Sequence, residues 1–542
     1  MSDSVAHLRH PQLGILKGRR TNGAVQFLGL KYGVLKHRFA VPEINLASQE
    51  QDIDATRYGP PVIYPPESCE MEMSFIQQSL DKPVVPPPSD LEGLNMNITV
   101  PLFKGEVLPP KDSKLPILVY VHGGGFTFGS SSYPHYDQSH IVEMAVESGQ
   151  PLIAININYR LGIPGFLTSE ELRKRGHFGT NNGLRDQQTA FKWIKKYIAG
   201  FGGNPDAITA IGQSAGAASL TYHLHSREPL FEQCILLGGT FLMMRAGDFQ
   251  VAEKVYKGVI KDLGLDQLPA SEQIKSLLEM NPSDFLQKVT PTMLLGPVVD
   301  HDIIPEVASF SNIRDTDQFP LPGRKWCSRL MSVDSEFDGT IMALVNLNAR
   351  EKGIRAAFQE SVRSHPQLQQ HTATCEKILE FYHIKDSTSD QDALLRIISF
   401  VTDIMFYAPS VALSQTWEKS YLCHFNEGNP WPGLYQDRAN HMLDIAYLWQ
   451  NFNHTLAEPQ KAVARVFADH IISFTAGQEV VPSFMPDQRV TVYGPSSQGF
   501  SSCFGHMEDE GITARRTALF RLAEEAGGMD VLLNVVSRFL MG

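Results

Sequence analysis

Several features that would place a chain in other functional classes are absent. No stretch of this 542-residue sequence reaches eighteen uninterrupted apolar residues, so no membrane-spanning helix is expected. Its opening, MSDSVAHLRH, is polar and has no apolar h-region, which gives no sign of a secretory signal. The end, SRFLMG, carries no lipidation or retention signal. Cysteine is scarce and scattered, at 69, 234, 327, 375, 423 and 503, and no two form a CxxC pair. Zinc and redox motifs are thereby excluded, and a reduced, cytoplasmic protein is the simplest expectation. Basic clusters are short, as at Lys17, Arg19 and Arg20, against a net charge of −12. Such a chain repels polyanions, so nucleic acid is not an expected partner. Two N-x-T sequons, at Asn97 and Asn453, read as chance matches without a secretory signal. No internal repeat or low-complexity tract is seen.

What is present is an ordinary globular composition, 42% hydrophobic and 20% charged, in a chain long enough to bury a large core. Residues 12–39 alternate apolar runs with Gly14, Gly18 and Gly23 and read as β-hairpins. Residues 58–93 are rich in Pro, Glu and Ser and read as loop. From residue 115 onward, short β-branched runs at 115–121, 152–157, 207–211, 234–237 and 421–425 read as buried strands. Between them 183–198 carries Leu184, Phe191, Ile194 and Ile198 at helical spacing, with Asp186 suited to a helix N-terminus. This alternation implies a mostly parallel sheet covered on both faces, with functional loops at the C-terminal ends of the strands. Residues 250–320 and 350–400 are helical but weakly patterned, and are expected as insertions forming a gorge or lid. We divide the chain nowhere and expect one domain over 1–542.

Two motifs fall at strand ends. Gly212-Gln213-Ser214-Ala215-Gly216 is a G-x-S-x-G, of which about 0.2 would arise by chance in a chain of this glycine content. A strand precedes it and a helical stretch, 215–225, follows. That is the setting a nucleophilic serine needs: a sharp turn exposes its hydroxyl, and helix N–H groups lie near the developing oxyanion. His122-Gly123-Gly124-Gly125-Phe126 follows the strand 115–121 and is an HGGG-type loop able to offer backbone N–H groups to an acyl oxyanion. A phosphate loop is the alternative, but the G-K-[ST] ending is missing.

Further segments extend the pattern along nearly the whole chain. They include FLGLKY at 27–32, with Arg38, Phe39 and Pro42, then NYRLG at 158–162 and GFL at 165–167, NGLRDQ at 182–187 and FGGNP at 201–205. Together with HGGGF and GQSAG, they resemble the type-B carboxylesterase family of cholinesterase-like esterases. The resemblance implies an α/β-hydrolase fold and carboxyl-ester hydrolysis through an acyl-enzyme, without cofactor or metal. It implies Ser214 as nucleophile and His441, in Asn440-His441-Met442-Leu443-Asp444, as general base. The oxyanion donors are then the N–H groups of Gly124, Gly125 and Ala215. The family's acid falls on Asp338 of VDSEFDG, one methylene shorter than the usual Glu. Glu336 is the fallback, and strand register does not separate the two.

Other departures are visible. The residue before the nucleophile is usually Glu and here is Gln213, which weakens the field on the imidazolium and is expected to tune the reaction. The family's early disulfide loses a cysteine to Gly93. The early tryptophan with which cholinesterases hold choline by cation–π contact has no counterpart, since the five tryptophans lie at 193, 326, 417, 431 and 449. A small ester is thus the expected partner, in a largely apolar pocket. Two rival readings remain. One is acyl transfer through the same acyl-enzyme, which product analysis with a competing nucleophile would reveal. The other is a non-catalytic interaction protein, although such relatives lose the nucleophile or the base. Composition and motifs do not give the oligomeric state.

Overall fold

The computed structural model describes residues 5–46, 52–103, 107–175, 178–289, 295–369 and 372–541. Its frame is a 13-stranded mixed sheet. In chain order the strands are β1 (Val5–His10), β2 (Gly14–Arg20), β3 (Ala24–Lys31), β4 (Asp52–Ala55), β5 (Asn95–Pro101), β6 (Leu115–Val121) and β7 (Ile153–Ile157). They continue with β8 (Gly203–Gln213), β9 (Gln233–Leu237), β10 (Arg329–Ser335), β11 (Ser420–Phe425), β12 (Arg489–Tyr493) and β13 (Ser502–His506). The spatial order is β1-β2-β3-β5-β7-β6-β8-β9-β10-β11-β12-β13, with β4 beside β2. From β7 to β12 every neighbour is parallel, and the pairs toward both edges of this path are antiparallel. This is the α/β-hydrolase arrangement.

The central strands are buried on both faces, and successive side chains enter different cores. Ile117, Val119 and Val121 of β6 join Ile153, Ile155, Ile208 and Ala210 on one face, under the helices at 182–197 and 215–223. Leu118 and Tyr120 join Ala154, Ile211, Ile235 and Leu237 on the other, against Glu458–Thr475. The period of two dictates this split, and each fully buried aliphatic side chain contributes roughly 1.5–3 kcal/mol.

Several elements differ from the sequence reading. Residues 58–93 contain a helix, α1 (Ser68–Ile76). Gly18 lies inside β2 rather than at a turn; a methyl there would meet Val25 and Phe27 within 3 Å. Asp186 sits in the helix α2 (Asn182–Tyr197), but its carboxylate is spent on Arg160, at 2.6–2.9 Å, rather than on the helix end. The helical insertions form at Phe249–Asp262, Ala270–Glu279, Pro282–Lys288, Ile354–Arg363, Thr372–Phe381 and Asp390–Thr402. Residues 298–320 form no helix, and 290–294 lie outside the described residues.

One helical run, Asp390–Ser414, is long and apolar enough to cross a membrane, with mean hydropathy 1.5, but that apolar window is entirely buried inside the protein. A π-turn at Asp403–Tyr407 interrupts it. Such turns often mark functional sites, and this one carries Phe406 to the site below.

Candidate active site

Ser214 stands between β8 and the helix α3 (Ala215–His223), with φ +53° and ψ −121°. A non-glycine residue held there costs on the order of 1–3 kcal/mol. The fold enforces it: Ser214 N–H donates to Leu237 O of β9 at 2.8 Å, and Ser214 O accepts from Ala218 N–H at 2.9 Å to start the helix. Gly216 lets α3 approach β6, since a methyl there would lie 2.0 Å from Val121 O.

The glycine loop leaves β6 through His122. Its imidazole stacks on Tyr159 at 4.4 Å, and the Tyr159 hydroxyl donates to His122 O at 2.8 Å. Burial pulls the His122 pKa down to about 4, so the ring is neutral and serves as a packed support. Gly124, at φ +92°, turns so tightly that a methyl would meet Phe128 O at 2.1 Å. Gly125 is exposed, with nothing within 4 Å of where a side chain would begin. Among the described residues, the N–H groups of Gly124, Gly125 and Ala215 are used by no other backbone group.

Asp338 follows β10, and its Oδ1 lies 2.8 Å from His441 Nδ1. Its Oδ2 accepts from Ser335 N–H at 2.7 Å. Burial pushes the Asp338 carboxyl above its ordinary range, and the hydrogen bond with His441 opposes that rise. The backbone supplies the reach that the shorter side chain lacks: Phe337 and Asn440 form a β-bridge, with Phe337 N–H donating to Ala439 O at 2.9 Å. Glu336 instead lies 3.5 Å from Arg438. His441 N–H donates to Thr340 Oγ1 at 3.0 Å. The Asn440 side chain donates to Phe75 O at 2.7 Å, which ties the histidine loop to α1.

Gly238 and Gly239 join the halves of the site. A methyl on Gly238 would lie 3.1 Å from Asp338 Oδ1 and 3.2 Å from His441 Cε1, and one on Gly239 would lie 2.3 Å from Ser214 O. Exposure is 9% for Ser214, 2% for His441 and 1% for Asp338, so the serine is the least buried of the three.

Three neighbours of the histidine gain from the structure a contact or an environment that the motifs did not give, and one of them, Phe406, lay in no motif. Phe406, from the π-turn, sets its ring edge against the imidazole at 5.5 Å. Asp444 is buried three residues on, and burial, reinforced by the Asp338 charge, pushes its carboxyl up to about 7. Gln213 was expected to act through its charge-free field, yet its amide nitrogen touches His441 Nε2 at 3.0 Å. The spacing of Asp444 from His441 is visible in the sequence; the approach of Phe406 and Gln213 is not. A surface cavity of about 870 Å³, lined in part by Phe310, Arg314, Phe520 and Asp530, contains none of the site residues.

The fold is that of an α/β-hydrolase, with a serine at the strand-to-helix turn after β8. Residues 4–480 match the model of the carboxylesterase family, and the chain belongs to that family. It is 32% identical over 259 residues to a Geotrichum candidum protein, Lipase 1, a match spanning 44% of each chain. It is 25% identical over 482 residues to a Yarrowia lipolytica protein also called Lipase 1, covering 86% of this chain and 87% of the other. Among solved structures, a Geobacillus stearothermophilus carboxylesterase superposes with a TM-score of 0.69 at 22% identity, covering 93% of this chain and 98% of that one.

Proposed function

We propose that the protein hydrolyses carboxylic esters of small molecules through an acyl-enzyme on Ser214. The observation that carries this reading is a strained Ser214 and an Asp338–His441 pair at 2.8 Å, packed on the adjacent Gly239 and Gly238, beside three N–H groups that no other backbone group among the described residues uses. His441 takes the Ser214 proton at Nε2 as Oγ attacks the ester carbonyl. Asp338 holds the Nδ1–H tautomer and stabilises the imidazolium. The oxyanion rests on Gly124, Gly125 and Ala215 N–H, each such donor being worth roughly 2.7–4 kcal/mol. The protonated His441 gives its proton to the leaving alcohol, and water activated by the same ring then releases the acid.

The test is mass spectrometry of the intact protein after a fluorophosphonate probe, beside Ser214→Ala. One adduct is expected, on the Ser214 peptide, and none on the variant. An unlabelled, folded wild type would overturn the reading. In an ester-hydrolysis assay Asp338→Asn lowers kcat by roughly 10⁴-fold, because the wrong tautomer is then held, while Glu336→Gln leaves it within the error of the assay.

On the same footing we read residues 1–542 as one α/β-hydrolase unit working in a reducing, cytoplasmic compartment. One continuous sheet and six unpaired cysteines support this.

A further inference from the structure

Gln213 is the one residue of the nucleophile motif to which the acyl-enzyme chemistry gives no task. Its side chain is 1% exposed, and its amide nitrogen lies 3.0 Å from His441 Nε2. Nδ1 of that ring faces the Asp338 carboxylate and is its donor, so Nε2 carries the lone pair and the carboxamide N–H donates to it. The carboxamide oxygen lies on the other side, over the oxyanion loop, where a methyl on Gly123 would come within 2.4 Å of it. One neutral side chain therefore spans the base and the oxyanion loop.

We propose that Gln213 is a positioning residue that sets the pH range of the base, by donating to Nε2 and so favouring the unprotonated imidazole. The physical reason is one of signs. A donor at Nε2 is satisfied only while that nitrogen has its lone pair; an imidazolium would turn an N–H against another N–H. A carboxylate in the same place would accept from the imidazolium and add a negative charge beside it, extending the protonated form to higher pH. In the reactive complex the amide yields the lone pair to the Ser214 hydroxyl.

The other groups around the ring stay constant in this comparison. Asp338 is on Nδ1, and Asp444 lies on the same loop as His441. Asp334 stands behind Asp338 with its partners Arg515 and His424, and the apolar Phe406 lies at the ring edge. Burial and the Asp338 charge push the Asp444 carboxyl up to about 7, so the acidic limb is a property of the set, and the inference concerns its displacement between variants.

This inference rests on His441 being the base of the proposed hydrolase. The experiment measures kcat/KM for p-nitrophenyl acetate from about pH 5 to 9. The proteins are wild type, Gln213→Met, which keeps the length and loses the donor, and Gln213→Glu. The acidic limb should rise in that order, by about one pH unit or more for Gln213→Glu. A packing role alone would lower the plateau and leave the limb in place, and coincident limbs would overturn the inference. Should Gln213→Glu fail to fold, Gln213→Met still gives the sign. The ring is followed in parallel by NMR of histidine labelled at Cε1, assigned with His441→Gln, which needs no turnover. If no variant is labelled by fluorophosphonate or hydrolyses ester while the NMR order holds, the hydrolase reading fails and only the effect of Gln213 on the protonation of the His441 ring stands. If Ser214 is labelled and neither titration moves, this inference fails alone.

Discussion

Asp444 sets a pH dependence that belongs to a single side chain. Its carboxyl is 2% exposed, accepts the Ile445 N–H at 2.8 Å, and is pushed up to about 7 because burial and the Asp338 charge disfavour its ionised form. A folded-state value above the unfolded one means that the contribution to stability is complete at low pH and is lost as pH rises through about 7. A rise of about three pH units corresponds to about 4 kcal/mol once the group is ionised. Asp444→Asn cannot ionise, so its stability relative to wild type should improve from acid to alkaline pH, by up to that amount. Urea unfolding at several pH values checks this; a pH-independent difference would show that Asp444 does not titrate there. The choice between Asp338 and Glu336 also belongs to this scale. Alternation along a strand puts both on one face, and only the bridge from Phe337 to Asn440, 103 residues away in sequence, brings one of them to the histidine.

At the scale of elements, the Arg160–Asp186 pair locks the loop after β7 to the start of α2. Arg160 is 1% exposed and Asp186 fully buried; Arg160 gives Asp186 a backbone and two guanidinium hydrogen bonds and uses Nη1 on Arg38 O and Ala40 O, at 2.9 and 2.8 Å. Asp186→Ala leaves a buried guanidinium without its counter-charge and should cost about 3–5 kcal/mol, read from the urea midpoint. Adding Arg160→Met should recover part of that loss, because the stranded charge is gone. If the double variant is no better than the single, hydrogen bonds of Arg160 to the 38–40 segment, not the ion pair, carry the stability. The elements most legible in the sequence were the central parallel strands, whose apolar runs reflect burial on both faces. Helix α1 was not: it buries Glu72 against His135 and Tyr136 at 2.8 Å, so a carboxylate interrupts the apolar stripe that would have revealed it. The edge strand β13, with exposed Phe504 and His506, likewise lacks an apolar run.

For the whole molecule, all six cysteines are free, and all but Cys503 are buried. Gly93, where the family carries a cysteine, has no room for one, since a methyl there would lie 2.7 Å from Val62 Cγ1. Thermal unfolding and ester hydrolysis should therefore be unchanged by dithiothreitol; a fall in melting temperature would reveal a disulfide and argue against a reducing compartment. The long apolar helix at 390–414 carries the same lesson about context. Its composition suits a bilayer, yet its partners are Phe358, Tyr382 and the C-terminal helix, and its π-turn aims Phe406 at the histidine.

By itself the sequence determined what is local in the chain. The strand-to-helix turn around Ser214, the glycine loop after β6 and the apolar runs of the central sheet depend on the conformational needs of adjacent residues, and those needs are written in adjacent letters. The tertiary structure alone decided what depends on contacts across long separations. These are the carboxylate that meets His441, the burial that raises Asp444, the approach of Phe406, and the Gln213 amide on Nε2. Each arises because the sheet gathers the ends of β8, β9 and β10 at one edge, where side chains remote in sequence share a single desolvated space and alter one another's protonation.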